Sequence, residues 1–358
     1  MGKPLKIAVC GGSGRVGQGV VKELVRRGHQ VLNLDRRPAE SESAQFVQVD
    51  LADRARIEPL FKGLDAVIQL AEIPPVHVGL AAEDVYAHNT RVSTVILQTA
   101  ADVRVPRLIY TSTCQVYGCW GEDAVPPRYL PLDEAHPVCP RNVGALGKVA
   151  NEDYAQWVCE HSQLSVAVFR LPWVMNFEPT ETWWRELESQ VGGLEGLGTY
   201  VHQRDVECAY ALAVEKPRAG YEVYQLCADE IASVMPLRDR LKQMPGYPAL
   251  PDDWPGNRSP VLTDKARAHF GWRPAYNVMD AYRQWRLGGI ASVDESEPRM
   301  CIRGLRGSGQ QARGRWGIFS GRGGIDAAER GFRKQLPRPC VSTDGRSNPG
   351  RDCAANPA

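Results

Sequence analysis

Three glycines at intervals of three, Gly11, Gly14 and Gly17, follow the apolar run KIAVCGG and lead into a helical pattern, GQGVVKELVRRGH. In that setting the spacing carries chemistry. Gly11 permits a tight turn, Gly14 lets main chain approach a pyrophosphate, and Gly17 lets a helix pack closely on a strand. Ser13, Arg15 and Val16 belong to the same turn, whose amide groups and helix-dipole end would face the phosphates. Asp35 closes the next apolar run, QVLNLD, where its carboxylate can accept from both hydroxyls of an adenosine ribose. A carboxylate there repels a 2′-phosphate, which favours NAD over NADP. Arg15, Arg36 and Arg37 argue the other way, because guanidinium groups clamp phosphate, or they are solvated surface charges.

The elements that must position these groups are legible in the hydrophobic pattern. FVQVDL, DAVIQLA, LIYTSTCQVYG and SVAVFRLPW read as further strands, and helices are predicted over residues 53–62, 83–103 and 145–162. Strands that are apolar throughout, alternating with helices, predict an α/β fold: a Rossmann-type doubly wound parallel sheet with helices on both faces. The predicted division is a dinucleotide-binding domain over residues 1–173, then a small substrate lobe over 174–287, interleaved with the core. Helices in the lobe are expected at 206–214, 236–243 and 264–270. The Gly- and Arg-rich stretch 288–358 lacks either periodicity, and a disordered tail is expected there.

With 43 Lys and Arg against 42 Asp and Glu, the chain has no overall charge that would recruit nucleic acid or an acidic membrane. The basic excess after Met300 offers an RGG-like nucleic-acid segment as the alternative to a plain extension, but the motif is not tandem. No apolar run is long enough to span a bilayer, and no signal-like N-terminus is read. The 10 cysteines show neither C-x-x-C pairs nor zinc-ligand spacing. The expectation is a cytoplasmic protein with reduced thiols and no metal.

The G-x-x-G-x-x-G spacing resembles that of the extended short-chain dehydrogenase/reductases, the family of NAD-dependent sugar epimerases and dehydratases. Further segments extend the likeness over roughly residues 6–287. Asp50-Leu51 is similar to the strand end that contacts adenine, and Gln69-Leu70-Ala71-Glu72 to the H-L-A-A segment beneath the pyrophosphate. Asn89 matches the Asn of the central helix, and Ser112-Thr113 falls in the family's S-S-S-x-x-V-Y-G strand end. The resemblance implies that the first-turn residues with Asp35, Arg36, Asp50, Leu51, Leu70, Ala71, Glu72, Asn89, Ser112 and Lys148 hold the dinucleotide. It implies further that Thr113 binds the substrate hydroxyl. A homodimer through the helices at 83–103 and 145–162 follows from the same analogy.

The family's chemistry uses Tyr-x-x-x-Lys on the next helix: the phenol exchanges a proton with substrate while hydride moves to or from the nicotinamide. Lys148 is present, and Glu152 matches the acidic position downstream, but Gly144 stands where the phenol belongs. Three readings follow. Hydride transfer persists with another proton carrier, such as Tyr117 or a water held by Thr113 and Lys148. Alternatively, the protein binds NAD without turnover, as a sensor or interaction module. The third is a copy that has decayed or been altered locally. The expected partner is a carbohydrate. Trp173 replaces an Asn that many nucleotide-sugar enzymes use on the diphosphate, and the short lobe is similar to that of uronate dehydrogenases. Trp183 and Trp184 are weighed as a sugar platform against lobe core, Arg204 as an anion contact against an ion pair, and Asp205 as a helix cap.

Overall fold

The structure, a computed structural model, describes residues 3–39, 44–73, 79–121, 123–176, 179–189 and 196–288. The expectations for the tail lie outside the described residues. In chain order the first half runs β1 (Lys6–Cys10), α1 (Arg15–Arg26), β2 (Gln30–Asp35), β3 (Gln45–Gln48), α2 (Arg54–Phe61), β4 (Ala66–Gln69), α3 (Ala82–Asp102) and β5 (Arg107–Thr113). A 3-10 turn (Cys114–Tyr117) leads on to α4 (Val143–Glu160) and β6 (Ser165–Leu171). Then come β7 (Trp173–Met175), α5 (Glu181–Ser189), β8 (Tyr200–His202), α6 (Gln203–Glu215), β9 (Tyr221–Gln225), α7 (Leu237–Lys242), α8 (Asp264–Phe270) and α9 (Val278–Arg286).

Seven strands form one sheet in the order β3-β2-β1-β4-β5-β6-β9, every pair parallel, while β7 and β8 make a separate parallel pair. Strand side chains alternate faces, and the sheet is buried on both. Ile7 and Val9 pack with α1, α6, Phe270 and Trp272. Ala8 and Cys10 pack with Ile57 and Phe61 of α2, Ile96 and Leu97 of α3, and Ala155 and Val158 of α4. That two-sided burial is why the strands read as unbroken apolar runs.

The chain leaves β1 towards β2 on one side and later returns to place β4 on the other. The order of strands therefore reverses between β1 and β4, and a crevice opens beyond their carboxyl ends. The glycine turn sits at that point. Gly11 has φ +83°, a conformation that costs a side-chain-bearing residue, and a Cβ there would lie 2.6 Å from the Ala71 amide nitrogen. A Cβ on Gly17 would lie 2.2 Å from the Gly11 carbonyl oxygen, so the first turn of α1 can sit against the loop only without one.

Residues 174–287 are less separate than a lobe. The strand β9 extends the main sheet beside β6, and α6 packs on α1 against its face. The strand was missed because YEVYQ mixes Glu, Tyr and Gln into a run whose burial comes from its neighbours (Tyr224 and Gln225 are fully buried). What remains is a satellite cluster in which Trp184 and Leu187 of α5 meet Val278 and Met279 of α9. Trp184 belongs to that core, with Trp183 packed edge-on against it at 4.9 Å between ring centroids. The pair therefore serves as packing in this fold.

The expected helix cap at Asp205 is corrected. The cap of α6 is His202, whose Nδ1 accepts from the Arg204 amide at 3.2 Å; burial, then the Arg204 charge, pushes this imidazole down to about 4, so it is a neutral acceptor. Asp205 instead accepts from the amides of Ala275 (2.8 Å) and Tyr276 (3.1 Å), pinning the closing loop onto α6. Burial raises this carboxyl to about 7 from its ordinary 3.8, against the lowering effect of the two amides. The folded chain thus holds this proton more tightly than the unfolded one. The associated stability is complete below pH about 4 and is lost as the pH rises to about 7, an effect on the order of a few kcal/mol. In urea titrations from pH 5 to 8, the wild type should lose stability relative to Asp205→Asn as pH rises. Parallel curves would contradict this.

Candidate active site

The crevice is built from the ends of β1, β2, β4 and β5 and the first turns of α1 and α4. At its nucleotide end, Asp35 accepts from the Ser13 amide (3.1 Å) and the Arg37 amide (3.3 Å). It thereby locks the glycine loop against the end of β2. Asn33 supports the same loop, donating to the Ser13 hydroxyl at 3.1 Å. The cap of α1 is Gly14, which makes no side-chain cap bond, so the helix presents main-chain amides at its N-terminus. Arg15 is exposed and Val16 half-buried beside them. Arg36 is committed to Asp50 at 3.2 Å, and His88 lies 3.4 Å from it. Asp50 also accepts from the Ala52 amide (3.0 Å), and this bond, with Arg36, holds its carboxyl below the usual range. Leu51 is buried in the core.

The loop after β4 is tied down from α3. Asn89 accepts from the Ile73 amide (2.8 Å) and donates to the Ile73 carbonyl (2.9 Å), so this side chain shapes the loop rather than pointing at a cofactor. Gln69 pairs with Ala71 main chain and the Ser93 hydroxyl. Leu70 and Ala71 consequently lie against Gly11.

At the chemical end, Asn142 caps α4 by accepting from the Ala145 amide at 2.8 Å, and Gly144 lies in the first turn. One turn on, the same face carries Lys148. Its ammonium sits 2.7 Å from the Glu72 carboxylate and donates to the Thr111 carbonyl, with the two charged side chains only 15% and 16% exposed. Glu72 accepts in addition from the Tyr110 hydroxyl (3.1 Å), which itself accepts from Asn151 (3.0 Å). Thr113 is half-buried at the end of β5, its hydroxyl donating to the Leu171 carbonyl (3.3 Å) and accepting from the Gln115 amide (3.2 Å). The Glu72–Lys148 contact was not foreseen; the only signal was an acidic residue in a segment that usually ends in Ala.

Two sequence assignments change. Ser112 is fully buried with its hydroxyl donating to Glu152, so its side chain does not face the cofactor crevice. Tyr117 is buried as well. Its hydroxyl accepts from Arg170 (2.9 Å) and donates to the Asp133 carbonyl (3.3 Å), and burial pushes its ionisation far above the ordinary phenol value. A phenol so engaged is a packed aromatic and not a substitute proton carrier. Both belong to a buried arrangement around the Arg170–Glu152 ion pair (2.6 Å). Elsewhere, Trp173 is partly exposed on β7, and Arg204 stacks over the Tyr276 ring at 5.4 Å. Among the described residues no helix is long and apolar enough to cross a membrane, and no group of three His, Cys, Asp or Glu could hold a metal.

This architecture has many counterparts. Residues 7–176 match the NAD dependent epimerase/dehydratase family. UDP-glucose 4-epimerase of Lacticaseibacillus casei is 24% identical over 317 residues, covering 77% of this chain and 94% of that protein. The UDP-glucose 4-epimerase of Lactobacillus helveticus is 29% identical over 161 residues, 43% of this chain and 47% of that relative, so this match spans less than half the relative's length. Among solved structures, a short-chain dehydrogenase/reductase superfamily protein from Agrobacterium tumefaciens with bound NAD superposes with a TM-score of 0.60 at 20% identity. It covers 79% of this chain and 98% of that one. UDP-glucose 4-epimerase from Bifidobacterium longum in complex with NAD+ and UDP gives 0.57 at 19% identity, with coverage of 79% and 98%. The likeness to the NAD dependent epimerase/dehydratase family lies in residues 7–176, and the solved structures share the fold over 79% of the chain.

Asp35 makes the nucleotide end testable by itself. On the expectation that Asp35 accepts from the adenosine ribose, replacing it with Ala removes charge-assisted acceptors worth about 1.5–3 kcal/mol, so NAD affinity should fall about 10- to 100-fold and the preference over NADP should narrow. Calorimetry with both dinucleotides checks this. An unchanged NAD/NADP ratio would take Asp35 off the ribose.

Proposed function

We propose that this protein binds NAD across the glycine loop and acts on a sugar or sugar acid by hydride transfer, as an epimerase, dehydratase or dehydrogenase. The observation that carries the reading is the reversal of strand order at Gly11–Gly17, with Asp35 anchored on the loop and Lys148 at the far end of the same crevice. Main-chain amides of the first turn of α1 and the loop at Leu70–Ala71 would take the pyrophosphate. Asp35 would take the adenosine ribose, with Arg36 and Asp50 beside the adenine, and Lys148 would take the nicotinamide ribose. A tight turn of main chain fits this role, because a Cβ at Gly11 would strike the Ala71 main chain and one at Gly17 the Gly11 carbonyl, so only glycines let the loop and the first turn of α1 close up. Bound NAD supplies a hydride acceptor and donor. Thr113 would orient the substrate hydroxyl, and residues 174–287, with Trp173 and Arg204, would face the carbohydrate. Pairing of two copies through α3 and α4 and a cytoplasmic setting complete the reading; the half-exposed Leu146 and Trp157 on α4 are in keeping with the first.

NADH formation from a panel of uronates, aldoses and UDP-sugars, together with product analysis for epimerised or dehydrated sugars, tests this proposal. Turnover of any member supports it. One observation favours a second reading, an NAD-binding module without turnover: Gly144 has no proton to give. Tight NAD binding with neither NADH nor any epimerised or dehydrated product from the whole panel would select that reading.

A further inference from the structure

The site has lost a phenol and holds a carboxylate that the family segment does not predict. Glu72 stands in the loop after β4, at the strand-order reversal, where Ala71 abuts Gly11. Its carboxylate touches the ammonium of Lys148, and Lys148 shares a helix face with Gly144, one turn earlier. Glu72 is therefore brought to the side of α4 from which a residue at 144 would act. The side chain is partly exposed, so small molecules in the crevice can reach it, and the hydrogen-bonded run from Asn151 through Tyr110 to Glu72 fixes its orientation. No other carboxylate contacts Lys148 among the described residues.

We propose that Glu72 stands in for the missing phenol as the proton-accepting group, with Lys148 as its charge partner; this rests on the hydride-transfer reading above. In the oxidative direction the alcohol O–H proton passes to a Glu72 carboxylate oxygen. The carbinol hydrogen leaves with its electron pair to the oxidised nicotinamide dinucleotide, and a C=O bond forms. The protein gains one proton and the dinucleotide two electrons. In the reverse direction the protonated Glu72 returns its proton to the alkoxide oxygen.

The test uses the full chain as wild type, Glu72→Gln and Glu72→Ala. The first readout is the ratio of NAD+ to NADH affinity by calorimetry. A carboxylate beside the ring favours the cationic oxidised form, so E72Q should shift the ratio several-fold towards NADH. The second is turnover on the sugar panel, where E72Q and E72A should lose about 10²–10⁴-fold in kcat, the usual cost of a general base. The third is rescue: formate should restore part of the rate in E72A, which a merely structural role would not allow. Wild-type rates in E72Q, an unshifted affinity ratio, or no response of E72A to formate would overturn the proposal. Wild type that binds NAD yet turns over nothing would overturn it too, leaving dinucleotide binding intact. Wild type that binds no dinucleotide would instead strike the hydride-transfer reading, and this inference with it.

Discussion

Replacing Glu152 with Leu should destabilise the protein by about 3–5 kcal/mol, the cost of leaving a buried guanidinium without its counter-charge. The Arg170–Glu152 pair is a two-point contact at 3.1 and 2.6 Å, with the side chains 7% and 5% exposed. Glu152 comes from α4 and Arg170 from β6, while Ser112 of β5 donates to the same carboxylate. Arg170 reaches on to the Tyr117 hydroxyl and the Glu134 carbonyl. One ion pair therefore holds together the helix carrying Lys148, the strand carrying Thr113 and the segment around residue 134. Glu152→Gln keeps the shape and one acceptor and should lose less. Urea denaturation at neutral pH, read by tryptophan fluorescence, checks the order wild type, E152Q, E152L. Equal midpoints for all three would mean that the pair is dispensable.

Gly144→Tyr should raise the rate of turnover, by up to about 10²–10⁴-fold where Glu72 is removed as well, if a phenol at this position finds the rest of the site in order. The position lies in the first turn of α4, and Lys148 follows on the same face. Replacing Gly inside a helix also recovers up to about 1 kcal/mol of helix propensity, so the variant should fold at least as well. The measurement is kcat on the panel together with the melting temperature. An unchanged rate in a well-folded variant would mean that more than one residue separates this site from its relatives. Glu72 is the first to consider. Paired with Lys148 at 2.7 Å, it offsets the positive charge that a new phenol would need in order to ionise, so G144Y combined with E72A should outperform G144Y alone.

The nucleotide end of the site was legible in the sequence because its requirements are local. A glycine spacing between an apolar run and a helix, and a carboxylate closing the next run, specify the turn and its anchor without long-range information. The strands of the sheet's interior were legible for the reason given by their burial on both faces. Other features were not, because each depends on partners distant in the chain. The strand β9 is polar in sequence and becomes sheet only beside β6. Glu72 acquires its meaning only when α4 delivers Lys148 to it. Tyr117 looked near the site along the chain, yet Arg170, 53 residues away, turns its hydroxyl inward. Asp205 resembled a cap by position, and His202 caps the helix instead while Asp205 grips a loop 70 residues on.

Every chemical assignment above depends on the loop at Gly11–Gly17 accepting a dinucleotide. Isothermal titration of the purified chain with NAD+, NADH and NADP+ addresses that directly. One equivalent of NAD+ or NADH should bind, more tightly than NADP+, and Asp35→Ala should weaken it. A flat titration with all three ligands, from a chain that melts cooperatively, would contradict the account at its base.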